Sequence, residues 1–171
     1  MDVPARLRAR SAPPPTIAAL VATLAIVVLA LALHALGDAS DPRTTRVILG
    51  LFTALLAVRV AGQVLVLLVR PSWLPPMANW NLLPYPILLP IQLALLALMI
   101  GISTTPRLVG AGVGDSLVEF ACLYWAAIAV RYAVRMSRRP GERWFGGAIP
   151  IVFHCVIAAW VFVLGRFYAV G

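Results

Sequence analysis

The stretch that decides the fold is RPSWLPPMANWNLLPYPILLPIQ, residues 70–92, which holds six of the chain's fourteen prolines, two of its five tryptophans and Tyr85. Proline has no backbone donor and pushes the residue before it toward extended geometry, so Pro71, Pro75 and Pro76 cannot lie inside a regular helix. Trp73, Trp80 and Tyr85 combine an apolar ring with a polar edge, which suits the headgroup level of a bilayer. The stretch reads as a stiff connector in a membrane interface, and Tyr85 marks where the next helix enters the lipid. Trp73, Trp80 and Tyr85 are the candidate anchors for a partner chain.

Long apolar runs lie on both sides of this connector. Of the 171 residues, 62% are apolar, a content that a soluble domain could not cover. Fourteen arginines, no lysine and six acids give a net charge of +8, but the arginines cluster at the ends of apolar runs. That placement orients membrane helices and leaves no soluble module for a nucleic-acid partner. Cys122 and Cys155 both fall within apolar runs, which marks them as small buried thiols and not as a secreted disulfide framework.

The fold class expected is an all-α integral membrane protein, a single bundle of five transmembrane helices. Residues 1–15, with Arg6, Arg8 and Arg10, form a disordered basic segment. Residues 16–171 form the membrane domain, with spans at 16–36, 46–69, 85–102, 116–136 and 147–168. The first run exceeds the apolar core of a signal peptide, so it is read as an uncleaved helix. Residues 37–45, with Asp41, Pro42 and Arg43, are expected to be a polar loop. Residues 103–115 are expected to be a flexible glycine-rich connector, in which Gly110 and Gly114 form a GxxxG that carries no dimer meaning outside an apolar helix. Counting arginines beside the helix ends gives nine on the N-terminal side of the membrane and four on the other. The positive-inside rule then puts the N-terminus in the cytoplasm and the C-terminus outside a bacterial inner membrane.

Polar groups inside the spans are the candidate ligand or ion-pair residues, because each is costly in lipid. An arginine at mid-bilayer costs at least ~2.5 kcal/mol, which makes Arg59 the most informative. Gln63 lies one turn further on the same face. On the opposite face, Gly50, Ala54, Ala57 and Ala61 offer a close approach to another helix, so the second span is expected at the centre of the bundle. Glu119 is the one acid well inside a run, and it shares a face with Cys122, Ala126, Ala129 and Ala133 that should point inward, where it could pair with Arg59; the alternatives are an anion or proton site using Arg59, or an Arg59 held by backbone carbonyls, lipid phosphate or a partner chain. His154, on a face with Gly147, Ala158 and Gly165, should join Gln63 and Gln92 in a polar layer. Arg131, Arg135, Arg138, Arg139 and Arg143 form a patch for anionic headgroups on the cytoplasmic side.

No cofactor is expected. The two histidines, His34 and His154, fall at different depths, and no metal-ligand spacing, P-loop or nucleophile motif is present. With no catalytic set assigned, the function expected is a non-catalytic accessory, assembly or scaffold subunit packing on other membrane chains or on itself. The alternative is a small transporter or channel with a path through Arg59, Gln63, Gln92 and His154. Third comes an intramembrane enzyme on a lipid-like substrate, with His154 or Glu119 as acid or base.

Overall fold

A computed structural model of the chain describes residues 41–69, 85–105, 112–138 and 148–170. These form four helices, α1 (Pro42–Val69), α2 (Tyr85–Thr104), α3 (Gly114–Arg138) and α4 (Ala148–Val170), and no strand is found among the described residues. Each of the four contains a segment long and apolar enough to cross a membrane. They correspond to the second to fifth spans read from the sequence. The 16–36 span, the basic N-terminal segment and the connector with Trp73 and Trp80 lie outside the described residues.

The helix ends correct two expectations. α1 begins at Pro42, inside the stretch read as a loop, because Asp41 caps it. One carboxylate oxygen accepts from the Arg43 amide at 3.0 Å; the other accepts from the Thr44 amide at 3.0 Å and from the Thr44 hydroxyl. Pro42 at the first helical position loses nothing, since that amide has no partner in any helix. The Thr44 hydroxyl, followed by the two amides, holds the Asp41 carboxyl below the ordinary carboxylate range. α2 likewise runs past its expected end and includes Ser103, which is buried. It also continues through Pro90.

α1 buries one stripe, Ile48, Leu49, Phe52, Leu56 and Val60, at spacings that keep one helix face. The stripe meets Met99 of α2 and Val156, Ala159, Trp160, Val163 and Leu164 of α4 in a single apolar cluster. The main packing runs α2 on α1, α1 on α4, and α4 on α3. Among the described helices α1 and α4 each pack on two neighbours, so the second span is central, as expected, and shares that place with α4. The small-residue face of that span, Gly50, Ala54, Ala57 and Ala61, is half-buried or exposed, and no described atom comes within 4 Å of a Cβ built at Gly50.

Close approach occurs at glycines instead. A Cβ on Gly165 of α4 would lie 2.8 Å from the Val118 amide and 2.9 Å from the Leu117 Cβ of α3. A Cβ on Gly114 would overlap the backbone of Tyr168 and Ala169. The start of α3 thus lies against the end of α4, an antiparallel pair. Gly114, read as part of a flexible connector, is a buried packing residue at the first turn of α3.

A polar chain ties three helices together inside the apolar cluster. The Trp160 indole N–H of α4 donates to the Ser103 hydroxyl of α2 at 3.3 Å, Ser103 and Thr53 of α1 lie 3.1 Å apart, and the Thr53 hydroxyl donates to the Leu49 carbonyl at 2.8 Å. Thr53 has spent its proton on Leu49, so Ser103 is the donor between the two hydroxyls. Each hydroxyl then accepts once and donates once, and the chain ends on a backbone carbonyl.

Two outcomes follow for purified protein in mild detergent. Ser103→Ala removes the acceptor of a buried indole, and leaving a buried donor unmet costs about 1–3 kcal/mol. Its thermal midpoint should fall below that of Thr104→Ala, whose side chain is exposed. Gly165→Ala should also unfold earlier, because the added methyl meets backbone and overpacking costs about 1–3 kcal/mol. Gly62→Ala, where a Cβ meets no described atom within 4 Å, should be neutral or stabilising by up to ~1 kcal/mol. Equal midpoints for the two alanines would refute the close approach.

Candidate functional site

The antiparallel pairing of α3 and α4 sets Tyr124 beside His154. The Tyr124 hydroxyl and His154 Nδ1 are hydrogen-bonded at 2.6 Å, with the rings edge to face at 6.0 Å between centroids. Phe120 stacks on the other side of Tyr124 at 5.9 Å. A bond to Nδ1 fixes the ring and leaves Nε2 as the second polar position. His154 therefore has the orienting partner that the sequence reading did not supply.

Next to His154 along α4, the Phe153 ring receives the Arg59 guanidinium of α1, whose central carbon stands 4.7 Å from the ring centroid. A cation over a ring face gains ~0.5–2 kcal/mol, depending on desolvation. Arg59 is half-buried. One turn beyond Arg59, Gln63 retains only 4% of its exposure. Neither its Nε2 nor its Oε1 has a hydrogen-bond partner.

Arg59, Gln63 and His154, three of the five ligand or ion-pair candidates, thus come to one end of the bundle, where α1 and α3 finish and α4 begins. Arg59, placed at mid-bilayer by the sequence, lies further along its helix than that. With α1 starting at Pro42, Arg59 is the eighteenth of 28 residues, further toward the end that meets the start of α4.

Glu119 lies elsewhere. Glu119 is exposed, along with Cys122, Ala126, Ala129 and Ala133, so that stripe faces outward and does not offer Glu119 to Arg59. α3 turns Gly114, Leu117, Val118, Ala121, Tyr124, Trp125 and Ile128 toward its neighbours instead, because glycine allows a closer approach than alanine and the aromatic side chains fill the gap beyond. Gln92 is half-buried on α2, and among the described residues no hydrogen bond joins it to Gln63.

Of the headgroup arginines, Arg131 and Arg138 are exposed on α3; Arg139 and Arg143 lie outside the described residues, as does the side chain of Arg135. Among the partner anchors, Tyr85 opens α2, but its side chain is not described. Cys122 and Cys155 are free thiols, and Cys122 is exposed, not buried as expected. His34 lies outside the described residues.

The sequence reading passed over Tyr124, Phe153, Thr53, Ser103 and Trp160. A signal for the first existed: Tyr124 precedes Ser137 by thirteen residues (137 − 124) and His154 follows Arg143 by eleven (154 − 143). Residues at similar distances from a short turn face each other in an antiparallel helix pair.

Chemically, this end of the bundle offers the Arg59 cation on the Phe153 ring, an oriented imidazole bonded to a phenol, and a buried amide with both atoms unmet. The three acids among the described residues, Asp41, Asp115 and Glu119, all lie toward the opposite end, where α1 and α3 begin and α4 finishes. No group of three metal-binding side chains occurs among the described residues. Comparisons with protein-family models, with curated proteins and with solved structures yield no match.

Proposed function

We propose that the chain is a small polytopic protein of a bacterial inner membrane, with residues 16–36 as a fifth span, that works as an accessory, assembly or scaffold subunit packing on other membrane components. The observation supporting this reading is how little surface α2 gives to its own chain. Its buried residues are Met99 and Ser103, while Ile87, Ile91, Leu93, Leu98 and Ile100 are exposed. In lipid, apolar area alone does not drive association. A proline-stiffened connector leading into such a helix loses little entropy when a partner docks, and Trp73 and Trp80 are its natural anchors.

A transporter or channel is the second reading, favoured by the convergence of Arg59, Gln63 and His154. The odd helix count and the lack of an internal repeat in the sequence weigh against it. The third, an intramembrane enzyme on a lipid-like substrate, draws support from the Tyr124 bond to His154.

The double change Trp73→Ala with Trp80→Ala should release a membrane protein that co-purifies in mild detergent, whereas His154→Ala should retain it. Loss with His154→Ala and retention with the tryptophan changes would favour the polar-site readings. For orientation, nine arginines against four support a cytoplasmic N-terminus. Reporter fusions after Pro140 should read as cytoplasmic and fusions after Gly171 as external. The same signal from both would contradict that topology.

A further inference from the structure

We infer that the exposed line Val47, Leu51, Ala54, Val58 and Ala61 of α1 is the seat of the chain's own residues 16–36, which fold back along it as an antiparallel helix and close α1 to other chains. The inference rests on the reading of residues 16–36 as a membrane span and deepens it by naming the surface that span takes.

The first ground is the face itself. α1 turns Ile48, Leu49, Phe52, Leu56 and Val60 toward α2 and α4. On the opposite side Val47, Leu51, Ala54, Val58 and Ala61 are exposed, at spacings of four and three that keep one line along the helix. Val58, in the middle of the line, is 72% exposed. Gly50 and Ala57 flank it, half-buried, and no described atom lies within 4 Å of a Cβ built at Gly50. In lipid, apolar area alone does not bring helices together, whereas small residues let two backbones approach closely.

The second ground is the length of chain before α1. Asp41 caps the helix, which starts at Pro42, so only residues 37–41 separate it from the 16–36 span. A link of that length reaches roughly 20 Å, while the 28 residues of α1 rise about 42 Å. Residue 36 must therefore lie near the start of α1, and the span runs antiparallel to it. Short links in helical bundles join antiparallel neighbours, and α2 and α4 already hold the other side of α1.

Register is the third ground. Pairing positions equally far from the link sets Ala32 opposite Val47, Val28 opposite Leu51, Ala25 opposite Ala54, Val21 opposite Val58 and Ala18 opposite Ala61. Those five partners recur at spacings of three and four, so they too share one helix face. Alanine meets alanine at two levels, which is what a close approach requires. The polar residues of the segment, Thr16, Thr23 and His34, fall on its opposite face. Thr16 and His34 are near its ends, within reach of water, and a threonine inside a helix can bond the carbonyl one turn back.

The test uses the full chain in membranes, with Cys122→Ala and Cys155→Ala removing its own thiols. A disulfide forms only where two Cβ atoms come within ~4.5 Å, so linkage by copper phenanthroline reports contact. Ala25→Cys with Ala54→Cys, and separately Ala18→Cys with Ala61→Cys, should link within one chain, read as joined peptides by mass spectrometry. Each change adds a single sulfur atom, and should one pair fail to fold the other decides. Ala25→Cys with Ala126→Cys, on the exposed face of α3, should not link. Differently tagged chains carrying Ala25→Cys alone and Ala54→Cys alone should not link to each other when made together. Linkage confined to such mixed chains overturns the inference in favour of a second copy of the chain, and linkage to Ala126→Cys in place of Ala54→Cys moves the segment to α3. A single Ala25→Cys should also resist a membrane-impermeant maleimide until the membrane is dissolved. Absence of both α1 links with that resistance intact overturns the seat and leaves the span standing; ready labelling of Ala25→Cys overturns the span itself, and the seat with it.

Discussion

The bilayer interior supplies no water, so every polar group that a membrane helix buries has to be met by another part of the protein or by what the protein binds. In this bundle the rule is obeyed most fully at Trp160, Ser103 and Thr53. Their hydrogen bonds cross from α4 to α2 to α1 and end on the Leu49 carbonyl. The surrounding side chains, Phe52, Leu56, Met99 and Val156, are apolar and fully buried, and lipid tails would receive them almost as well. What they cannot do is choose a register. The three-residue chain can, because sliding any one helix by a turn would leave an indole or a hydroxyl unmet.

With that register set, α4 becomes the common wall of the bundle and meets its two neighbours by different means. Against α3 it uses Gly165, so the backbones approach until only a hydrogen fits between them. Against α1 it uses bulky side chains, Trp160 on one level and Phe153 further along. Arg59 reaches Phe153 because the same antiparallel course that sets Thr53 near Trp160 sets residue 59 near residue 153. The close α3 contact in turn carries Tyr124 to His154. The polar cluster is a consequence of where the helices are tied, and its members come from three helices.

How much of this the sequence could tell depended on the kind of signal. Apolar runs long enough to cross lipid were legible without ambiguity, and α1 to α4 lie where four of them were read. The start of α1 was misplaced because Asp41, Pro42 and Arg43 look like a loop to hydropathy, although aspartate before proline is a helix start by capping chemistry. Ser103 was left in a connector for the same reason, since a serine at the end of an apolar run carries no sign of the indole it will meet. The inward faces were harder to identify. Alanine stripes at 54–61 and 122–133 satisfied the rule for close packing, but two glycines satisfied it better and took the interface. Arg59, Gln63 and His154 stood out as costly groups, while Tyr124 did not, because a tyrosine in a membrane helix is cheap until its hydroxyl is buried.

The two ends of the bundle differ in how they treat charge. Near the start of α1 the carboxylate of Asp41 is absorbed locally by the Thr44 hydroxyl and two amides, and the Asp115 and Glu119 side chains face outward. At the other end Arg59 rests on Phe153, and an aromatic face stabilises a cation without cancelling its charge. The Tyr124–His154 bond places an oriented imidazole beside it. Gln63, one turn beyond Arg59, carries two unmet polar atoms, whereas the level of Thr53, Ser103 and Trp160 completes its hydrogen bonds over three helices. Retaining such an amide costs stability. The Thr53–Ser103–Trp160 level bears no such cost, because its indole and both hydroxyls are met, and it therefore acts as the fastening of the bundle.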